Sequence, residues 1–409
     1  MISVQSPDRH SPHRPAPDEP VPWSVPATLI ACMCVSILST DLYTPSLPHL
    51  TEALNTDPGT VQMTISANFI GYALGPFIIG PLADRFGRRP VLSGCMVLFA
   101  LFSLLCAVAP TIGFLIAARY GQGAAASVVS VLGVIIIRDL YKGAAAVRVL
   151  SIYGAAVGVA PALGPLIGGW IHVLAGWRAN FHVLMVLGLL VAWAAWRFVP
   201  ETGERTRLDF GLALRRYGKL LDDRQFLCTG LAVSAIFGGL FAYITAGPFL
   251  FIEHMDVPTE RYGYYYAAGV MAYISGAAIA NRLAGRTRPR KLTYIGIVLS
   301  LAGAALLFAF VAAEMVTPLS VVAAMGVFSV GLGLTFSAAP LVMLARVPTR
   351  RGAAAGVLFG AGQSLGAALG AYAMSFLHDG TARPLAWMLL AFTVAAGLLI
   401  LFAKPVRRG

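Results

Sequence analysis

Charged residues are scarce in this chain. Asp, Glu, Lys and Arg make up only 12% of its 409 residues, whereas 58% are hydrophobic and the mean hydropathy is +0.76. Soluble domains carry roughly a quarter charged residues, because water must solvate their surface. The composition therefore excludes an ordinary water-soluble protein and indicates that lipid surrounds most of the chain.

Cysteine is also rare, and the zinc-protease and nucleotide-binding motifs are missing. The five cysteines all lie in or at the edge of apolar stretches, without the spacing of a zinc site or a disulfide framework. The sequence contains no HExxH motif and no P-loop. We therefore expect no disulfide, no metal, no cofactor and no enzymatic activity, and a separate ATPase subunit would be needed for ATP-driven pumping.

Long apolar stretches dominate what is present. A membrane-spanning helix needs about 20 mainly apolar residues, and the sequence predicts twelve such helices. The predicted spans are 26–47, 60–83, 90–109, 112–137, 147–171, 179–199, 225–251, 262–283, 292–313, 317–345, 353–377 and 384–403. The sequence thus predicts an all-α membrane protein with twelve transmembrane helices.

The first 22 residues have a different character. They contain six prolines, several charges and no apolar run, so they hold neither a signal peptide nor a segment able to pack. We expect a disordered cytoplasmic tail.

The net charge of +12 is unevenly distributed. If the N-terminus is inside, 26 of the 30 Lys and Arg residues fall in the tail, the even-to-odd loops and the C-terminus. This asymmetry follows the positive-inside rule. It places both termini in the cytoplasm and makes a nucleic-acid partner unnecessary.

Short strings recur about 200 residues apart along the chain. The string Gly143-Ala-Ala-Ala146 returns as Gly352-Ala-Ala-Ala355, and Ala162-Leu-Gly164 returns as Ala368-Leu-Gly370. Parallel repeats of this kind are common in transporters. We expect two six-helix pseudo-repeats at 23–199 and 225–409, joined by a cytoplasmic amphipathic connector at 200–224.

Asp41 is the one carboxylate that the predicted spans place inside the membrane. A charge there is costly and by default functional. Arg119 in span four lies at a similar depth, since both are ~10–12 Å from the outer ends of their helices at ~1.5 Å per residue. We expect them to pair directly or through water. The alternatives are a static structural ion pair and an interfacial position for Asp41.

The loop after span two resembles a signature of the major facilitator superfamily. It reads Gly80-Pro-Leu-Ala-Asp84-Arg85-Phe-Gly87-Arg88-Arg89. The resemblance implies the major facilitator fold and a gating loop, in which Asp84 pairs with arginines at helix ends while the glycines permit close packing and a tight turn. A basic loop that merely obeys the orientation rule is the alternative.

Two further helices resemble motifs of the same superfamily. Span four reads Arg119-Tyr-Gly-Gln-Gly-Ala124, where the family uses a buried arginine in proton coupling. Span five resembles the antiporter motif through Gly158, Pro161, Gly164, Pro165, Gly168 and Gly169. Its glycines permit close helix approach and its prolines permit bending, although packing alone would also explain each glycine.

The end of span one, Asp41-Leu-Tyr-Thr-Pro-Ser-Leu-Pro48, resembles the Bcr/CflA (bicyclomycin-resistance) branch of drug:proton antiporters. The resemblance covers about 24–403 and implies a bacterial inner-membrane exporter that exchanges small amphipathic drugs or toxic metabolites for protons. Some related multidrug exporters carry a second acidic residue two turns earlier, where this chain has Met33. A dedicated carrier for one metabolite and a membrane-embedded sensor remain alternatives, but no extra soluble output domain is apparent.

A substrate cavity of such an exporter is expected to be apolar and aromatic, with a few polar groups near the midplane. The expected partners are a small-molecule substrate, protons and the lipid bilayer, and we expect a monomer. The candidate lining residues, each of which could instead face another helix, are Asn68, Tyr72, Tyr153, Phe237, Tyr243, Tyr273 and Gln363.

The topology is directly testable. Reporter fusions after Gly203 and after Gly409 should both give a cytoplasmic signal, because the opposite orientation would invert the Lys and Arg asymmetry. A periplasmic signal from either fusion contradicts the predicted orientation.

Overall fold

A computed structural model describes residues 22–203, 218–345, 347 and 352–403. Residues 1–21 of the predicted tail and 204–217 of the predicted connector lie outside the described residues, so those two expectations stay predictions. Within the described part of the chain, the regular secondary structure is helical throughout.

Twelve helical segments long enough to cross a bilayer follow one another along the chain. They are α1 (Ser24–Ala53), α2 (Pro58–Phe86), α3 (Arg88–Ala107), α4 (Ile112–Leu140), α5 (Gly143–Ala175), α6 (Trp177–Phe198), α7 (Arg224–His254), α8 (Thr259–Leu283), α9 (Pro289–Ala312), α10 (Pro318–Leu344), α11 (Gly352–Leu377) and α12 (Arg383–Phe402). Each predicted span coincides with one of them.

Eleven of these described helices are also apolar enough to cross a membrane by length and composition. The exception is α8, whose 25 residues could extend ~37 Å at ~1.5 Å per residue. Its first turns contain four tyrosines, Tyr262, Tyr264, Tyr265 and Tyr266. These phenols contribute to the lower hydropathy of α8.

Helix α1 is not the unbroken span that the sequence predicts for 26–47. Its regular turns end at Asp41, a 3₁₀ turn covers Thr44–Ser46, and the α-helix resumes at Leu47–Ala53. Proline has no N–H and disfavours helical geometry in the residue before it, and Pro45 and Pro48 supply that interruption. Asp41 therefore occupies a helix end, where the backbone departs from the regular ladder.

The packing of the first six helices is repeated in the last six. Helix α1 packs against α5 and α6 as α7 packs against α11 and α12, and α2 packs against α4 as α8 packs against α10. The contacts of α3 with α4 and α6 return as those of α9 with α10 and α12. Gly143 and Gly352, the first residues of the repeated strings, begin the equivalent helices α5 and α11. The chain therefore forms two similar six-helix bundles.

The two halves meet along two helix pairs, α2 with α11 and α5 with α8. Small residues line both seams. A methyl group on Gly263 of α8 would lie 2.6 Å from the backbone of Leu166, and one on Gly169 would lie 2.8 Å from the Thr259 carbonyl. Glycine removes the side chain that would hold the backbones apart.

Successive helices alternate in direction, so the loops fall on two faces. We call the face with both described chain ends and Gly87 the terminal face, and the face with Gly176 the opposite face. At the opposite face the 3₁₀ turn Thr44–Ser46 contacts α7 and α8, and Leu47–Ala53 contacts the π-helical turn Phe249–His254. The halves are thus in contact at the opposite face.

The close approach of α1 and α5 predicts a sharp difference between two glycines. A methyl group on Gly168 would overlap the Leu42 carbonyl, whereas one on Gly158 would meet nothing within 4 Å. Overpacking costs roughly 1–3 kcal/mol, while replacing a helical glycine in open space gains roughly 0.5–1 kcal/mol.

Gly168→Ala should therefore lower the apparent melting temperature in detergent by several degrees, and Gly158→Ala should leave it unchanged or raise it. Equal melting temperatures for the two variants would show that the α1–α5 contact does not contribute to stability.

Candidate functional site

Asp41 lies at the junction of the two halves. Its side chain is only 4% exposed, and its Oδ1 accepts a hydrogen bond of 3.4 Å from the hydroxyl of Tyr266 on α8. On the other side, α5 presses against Asp41 at Gly164, where a methyl group would lie 3.1 Å from the Asp41 carbonyl carbon. The one carboxylate predicted to be intramembrane therefore bridges the first half to the second.

Tyr266 is the partner that sequence reasoning missed. It lies one turn after Tyr262, and the two ring centroids are 6.3 Å apart. The Tyr262 side chain is fully buried, and its hydroxyl has no hydrogen-bond partner in the described structure. The cluster of tyrosines in an otherwise apolar span was the available signal.

Arg119 is fully buried on α4 and is held within the first half. One guanidinium nitrogen, Nη1, donates to the Ser39 carbonyl at 2.7 Å and also to Gln122 Oε1. The guanidinium carbon lies 4.3 Å from the centre of the Tyr43 ring. Nε and Nη2 have no hydrogen-bond partner in the described structure.

The direct Asp41–Arg119 pair that we expected is not formed in this conformation. Asp41 meets Tyr266, and the guanidinium is occupied by a carbonyl, an amide and an aromatic ring. Two of its nitrogens nevertheless remain available as donors, so Arg119 has unused capacity for an anionic partner.

Asn68 supports this arrangement and does not line a cavity as expected. It accepts a hydrogen bond of 3.2 Å from Thr40 and donates one of 3.1 Å to the Arg119 carbonyl. Its amide is thus used to connect α1, α2 and α4, and only 1% of the residue is exposed.

The glycines of the antiporter motif in α5 fall into different environments. Gly164 and Gly168 approach the backbone of α1 at Asp41 and Leu42, whereas Gly169 approaches α8. Pro165 is buried against Gly263, and α5 remains helical through both Pro161 and Pro165. The expected close packing at Gly158 is wrong, because that glycine meets no neighbouring atom.

The predicted gating loop is anchored by a residue that the sequence did not indicate. Glu201 accepts hydrogen bonds from the backbone N–H groups of Arg88 at 2.8 Å and Arg89 at 3.3 Å, which caps the start of α3. Gly87 adopts a φ of 98° beside that carboxylate, a conformation that favours glycine.

The other charged residues of the loop lie in three environments: an ion pair, a contact with an aromatic ring, and the exposed surface. Arg88 forms an ion pair with Asp139 at the end of α4, and the Arg89 guanidinium lies 4.5 Å from the Trp196 ring centre. Asp84 and Arg85 are exposed at the end of α2. Close packing expected at Gly80 is not found, since a methyl group there would meet nothing within 4 Å.

Four of the other candidate cavity residues lie on the helices between the halves. Phe237 and Tyr273 belong to a chain of aromatic contacts with Phe336, and Tyr72 approaches Phe69 with ring centroids 6.5 Å apart. Gln363 is half-buried, and its amide nitrogen has no partner in the described structure.

Tyr153 and Tyr243, also predicted to line a cavity, are buried by neighbouring helices. The Tyr153 hydroxyl donates to the Val129 carbonyl at 3.3 Å, so this ring packs α5 onto α4. Tyr243 is 4% exposed on α7. Both side chains are therefore part of the packed interior.

Metal and hydrolase sites find no support in the described residues. No group of three or more His, Cys, Asp or Glu side chains there could hold a metal ion. Gly362-Gln-Ser-Leu-Gly366 has the GxSxG spacing of a hydrolase, but it lies inside α11, and Ser364 Oγ donates to the Gly360 carbonyl at 2.9 Å. A nucleophile elbow needs a strand-to-helix turn.

Relatives of this chain are found among bacterial transporters. A bicyclomycin resistance protein homolog from Haemophilus influenzae is 28% identical over 92% of this chain and 96% of its own length. A chloramphenicol resistance protein from Pseudomonas aeruginosa is 28% identical over 92% of this chain and 90% of its own length.

The fold is also that of a solved transporter. The xylose transporter XylE from E. coli superposes with a TM-score of 0.75 at 15% identity, over 95% of this chain and 98% of that one. The sequence profile of the Major Facilitator Superfamily matches residues 29–371, from the first helix into the eleventh. The chain has two similar six-helix bundles joined along α2–α11 and α5–α8, and the profile match extends across both of them. It therefore belongs to the Major Facilitator Superfamily.

Proposed function

We propose that the protein is a proton-coupled exporter of small amphipathic drugs or toxic metabolites in the bacterial inner membrane. The observation that carries the proposal is the buried Asp41 carboxylate at the junction of the halves, bonded to Tyr266, with the unused donors of Arg119 in the same half. The names of the relatives support drugs as the cargo, and no cofactor is required. We further propose a monomer with its terminal face in the cytoplasm.

Asp41 would act as the proton carrier because its two protonation states interact differently with its neighbours. An ionised carboxylate accepts a strong charge-assisted hydrogen bond from a phenol or a guanidinium. A protonated carboxyl loses most of that attraction. Proton binding at Asp41 thus changes the strength of the link to Tyr266, which belongs to the other half.

Arg119 would supply the alternative partner. When the halves separate at the opposite face, Tyr266 moves away with α8, and the carboxylate would otherwise be left unpaired in a medium of low dielectric constant. The free Nε and Nη2 of Arg119 are positioned in the same half as Asp41. The carboxylate would then exchange Tyr266 for Arg119 until a proton arrives.

These exchanges produce antiport. With the opposite face closed, substrate enters from the terminal face, and its binding favours the ionised form of Asp41, which releases its proton to that side. Opening of the opposite face releases the substrate and exposes Asp41 to the side from which protons enter. Protonation removes the attraction to Arg119, the halves close at the opposite face, and Asp41 stays protonated until the next substrate binds and the proton leaves at the terminal face. Substrate and proton binding shift the population between the state that is closed at the opposite face and the state that is open there.

The loop between α2 and α3 would regulate that shift. Residues 200–224 form the proposed cytoplasmic connector between the halves at 23–199 and 225–409. Glu201, at its start, already anchors Arg88 and Arg89. We propose that Asp84, Arg85 and this anchored turn act as the charge latch that biases the transporter towards one state.

Removing the titratable group provides a direct test. Asp41→Asn should abolish uphill efflux in a proton gradient and eliminate substrate-induced proton release from the purified protein, because an amide cannot take up the coupling proton. Substrate binding to the wild type should strengthen as pH rises and Asp41 loses its proton, and it should become independent of pH in Asp41→Asn.

Asp256→Asn is the matched control, since Asp256 is an exposed loop residue. Arg119→Ala should shift the pH dependence of binding, and Arg119→Lys should restore it only in part, because an ammonium lacks the planar guanidinium fork. Undiminished proton release from Asp41→Asn would place the coupling proton elsewhere.

Tyr266→Phe tests the link between the halves without altering a charge. Loss of the phenol hydroxyl should favour opening at the opposite face by about three- to tenfold, the effect of one hydrogen bond of ~1 kcal/mol. Spin labels at Glu52 and Met315, on a cysteine-free background, would report longer distances between the halves. Tyr264→Phe is the control, because Tyr264 lies on the same helix with 60% of its surface exposed. Identical distance distributions for both variants would remove Tyr266 from the mechanism.

A further inference from the structure

Six aromatic rings form a continuous cluster across the two halves. Phe69 of α2 contacts Phe241 of α7 with centroids 4.3 Å apart, and Phe237 contacts Phe241 at 4.9 Å. Phe336 of α10 lies 5.2 Å from Phe237 and 6.3 Å from Tyr273 of α8. Tyr72 adjoins Phe69. We call these six residues the aromatic cluster.

The aromatic cluster is incompletely buried although it lies deep in the bundle. Phe69, Phe237, Tyr273 and Phe336 occur near the middle of their helices, and each is half-buried. Rings at that depth that retain exposed surface, on helices of both halves, offer apolar faces between the halves. Such a surface suits an aromatic ligand.

The fixed charges nearby do not favour a cation. Among the described residues, Asp41 is the one carboxylate within the middle part of the bundle, and it is 4% exposed behind Tyr266 and Gly164. The remaining described carboxylates lie at helix ends or in loops, at Glu52, Asp57, Asp84, Asp139, Glu201, Asp222, Asp223, Glu253, Asp256, Glu260, Glu314 and Asp379.

Neither protonation state of Asp41 gives this region a net negative charge. With Asp41 ionised, its charge is balanced by the fully buried Arg119. With Asp41 protonated, the Arg119 charge remains alone. Neither state offers a net negative charge to offset the cost of moving a cation out of water.

The geometry of the rings does not compensate for that cost. A cation is held when several ring faces point towards it. Here Phe69 and Phe237 both meet Phe241 edge to face, at interplanar angles of 63°. In these contacts the rings pack edge to face against one another. Their faces therefore do not surround a point at which a cation could bind.

One polar group at this level can recognise a neutral ligand. Gln363 lies between Gly362 and Gly366, the turn of α11 that approaches Ser234 of α7, and Phe237 is one turn further along α7. The Gln363 amide nitrogen is a hydrogen-bond donor without a partner in the described structure. A ligand with a carbonyl, nitro or phosphoryl oxygen would supply an acceptor for this nitrogen.

We propose that the aromatic cluster and Gln363 form a binding site for uncharged aromatic compounds that carry a strong hydrogen-bond acceptor. The proposal rests on the proposed export function and narrows its substrates. The rings contact the apolar part of the ligand, and the Gln363 amide donates to its acceptor. A lipophilic cation of the same shape is excluded because no negative charge is available to it.

Two probes with the same three phenyl groups separate charge from shape. Triphenylphosphine oxide is neutral and carries a phosphoryl acceptor, whereas methyltriphenylphosphonium is a cation without one. Isothermal titration of the purified full chain should show binding of the oxide at least about tenfold tighter than of the phosphonium, a difference of ~1.4 kcal/mol.

Variants then locate the site. Phe237→Leu and Phe336→Leu should each weaken binding of the oxide about three- to tenfold. Gln363→Leu should weaken the oxide and leave the phosphonium unchanged. Phe308→Leu is the matched control, because Phe308 packs on Trp387 of α12, outside the cluster, at 4.8 Å. A melting curve for each variant confirms that it is folded.

The outcomes are distinguishable from a failure of the proposed function. Phosphonium binding as tight as that of the oxide overturns the preference for neutral ligands, and equal effects of Phe237→Leu and Phe308→Leu overturn the location. Either result leaves proton-driven export intact. Absence of proton-gradient-driven efflux of any compound from proteoliposomes would instead overturn the export function itself.

Discussion

The arrangement of this transporter depends on the burial of one carboxylate where its two halves meet. An ionised side chain in a low-dielectric interior must find donors in every conformation or be neutralised by a proton. Asp41 finds Tyr266 across the junction, and Arg119 in its own half retains unused donors. In the proposed mechanism, this electrostatic requirement couples protonation of Asp41 to the relative position of the two helical bundles.

The helix packing around Asp41 makes that link mechanically effective. Gly164 and Gly168 bring the α5 backbone against Asp41 and Leu42, so little can move there without moving α1. Gly169 of α5 and Gly263 of α8 form further close contacts between the two halves. Interiors packed this tightly transmit displacement between helices. In the proposed mechanism, a change at the carboxylate is therefore carried to the α5–α8 seam.

Much of this could be predicted from sequence because lipid imposes simple rules. Recurring apolar stretches predict the twelve helices, eleven of which in the described chain meet the length and hydropathy of a membrane span, and Asp41 and Arg119 are conspicuous because charge is rare there. The missing parts depend on tertiary contacts. The sequence analysis does not predict the break in α1, and the local sequence does not show that Tyr266 reaches Asp41, that Glu201 caps α3, or that Asn68 bonds to Thr40 and Arg119. Those pairings join residues far apart in the chain.

The choice of a phenol as the partner across the junction has a physical consequence. A lysine or arginine in the second half would bind the ionised carboxylate more strongly, but it would be left as an uncompensated charge whenever the halves separate. Tyr266 is neutral, so its departure leaves no charge behind in α8. The charge that Asp41 needs is kept by Arg119, which stays on the same side of the junction. The link between the halves can therefore form and break without stranding a charge in the second half of the protein.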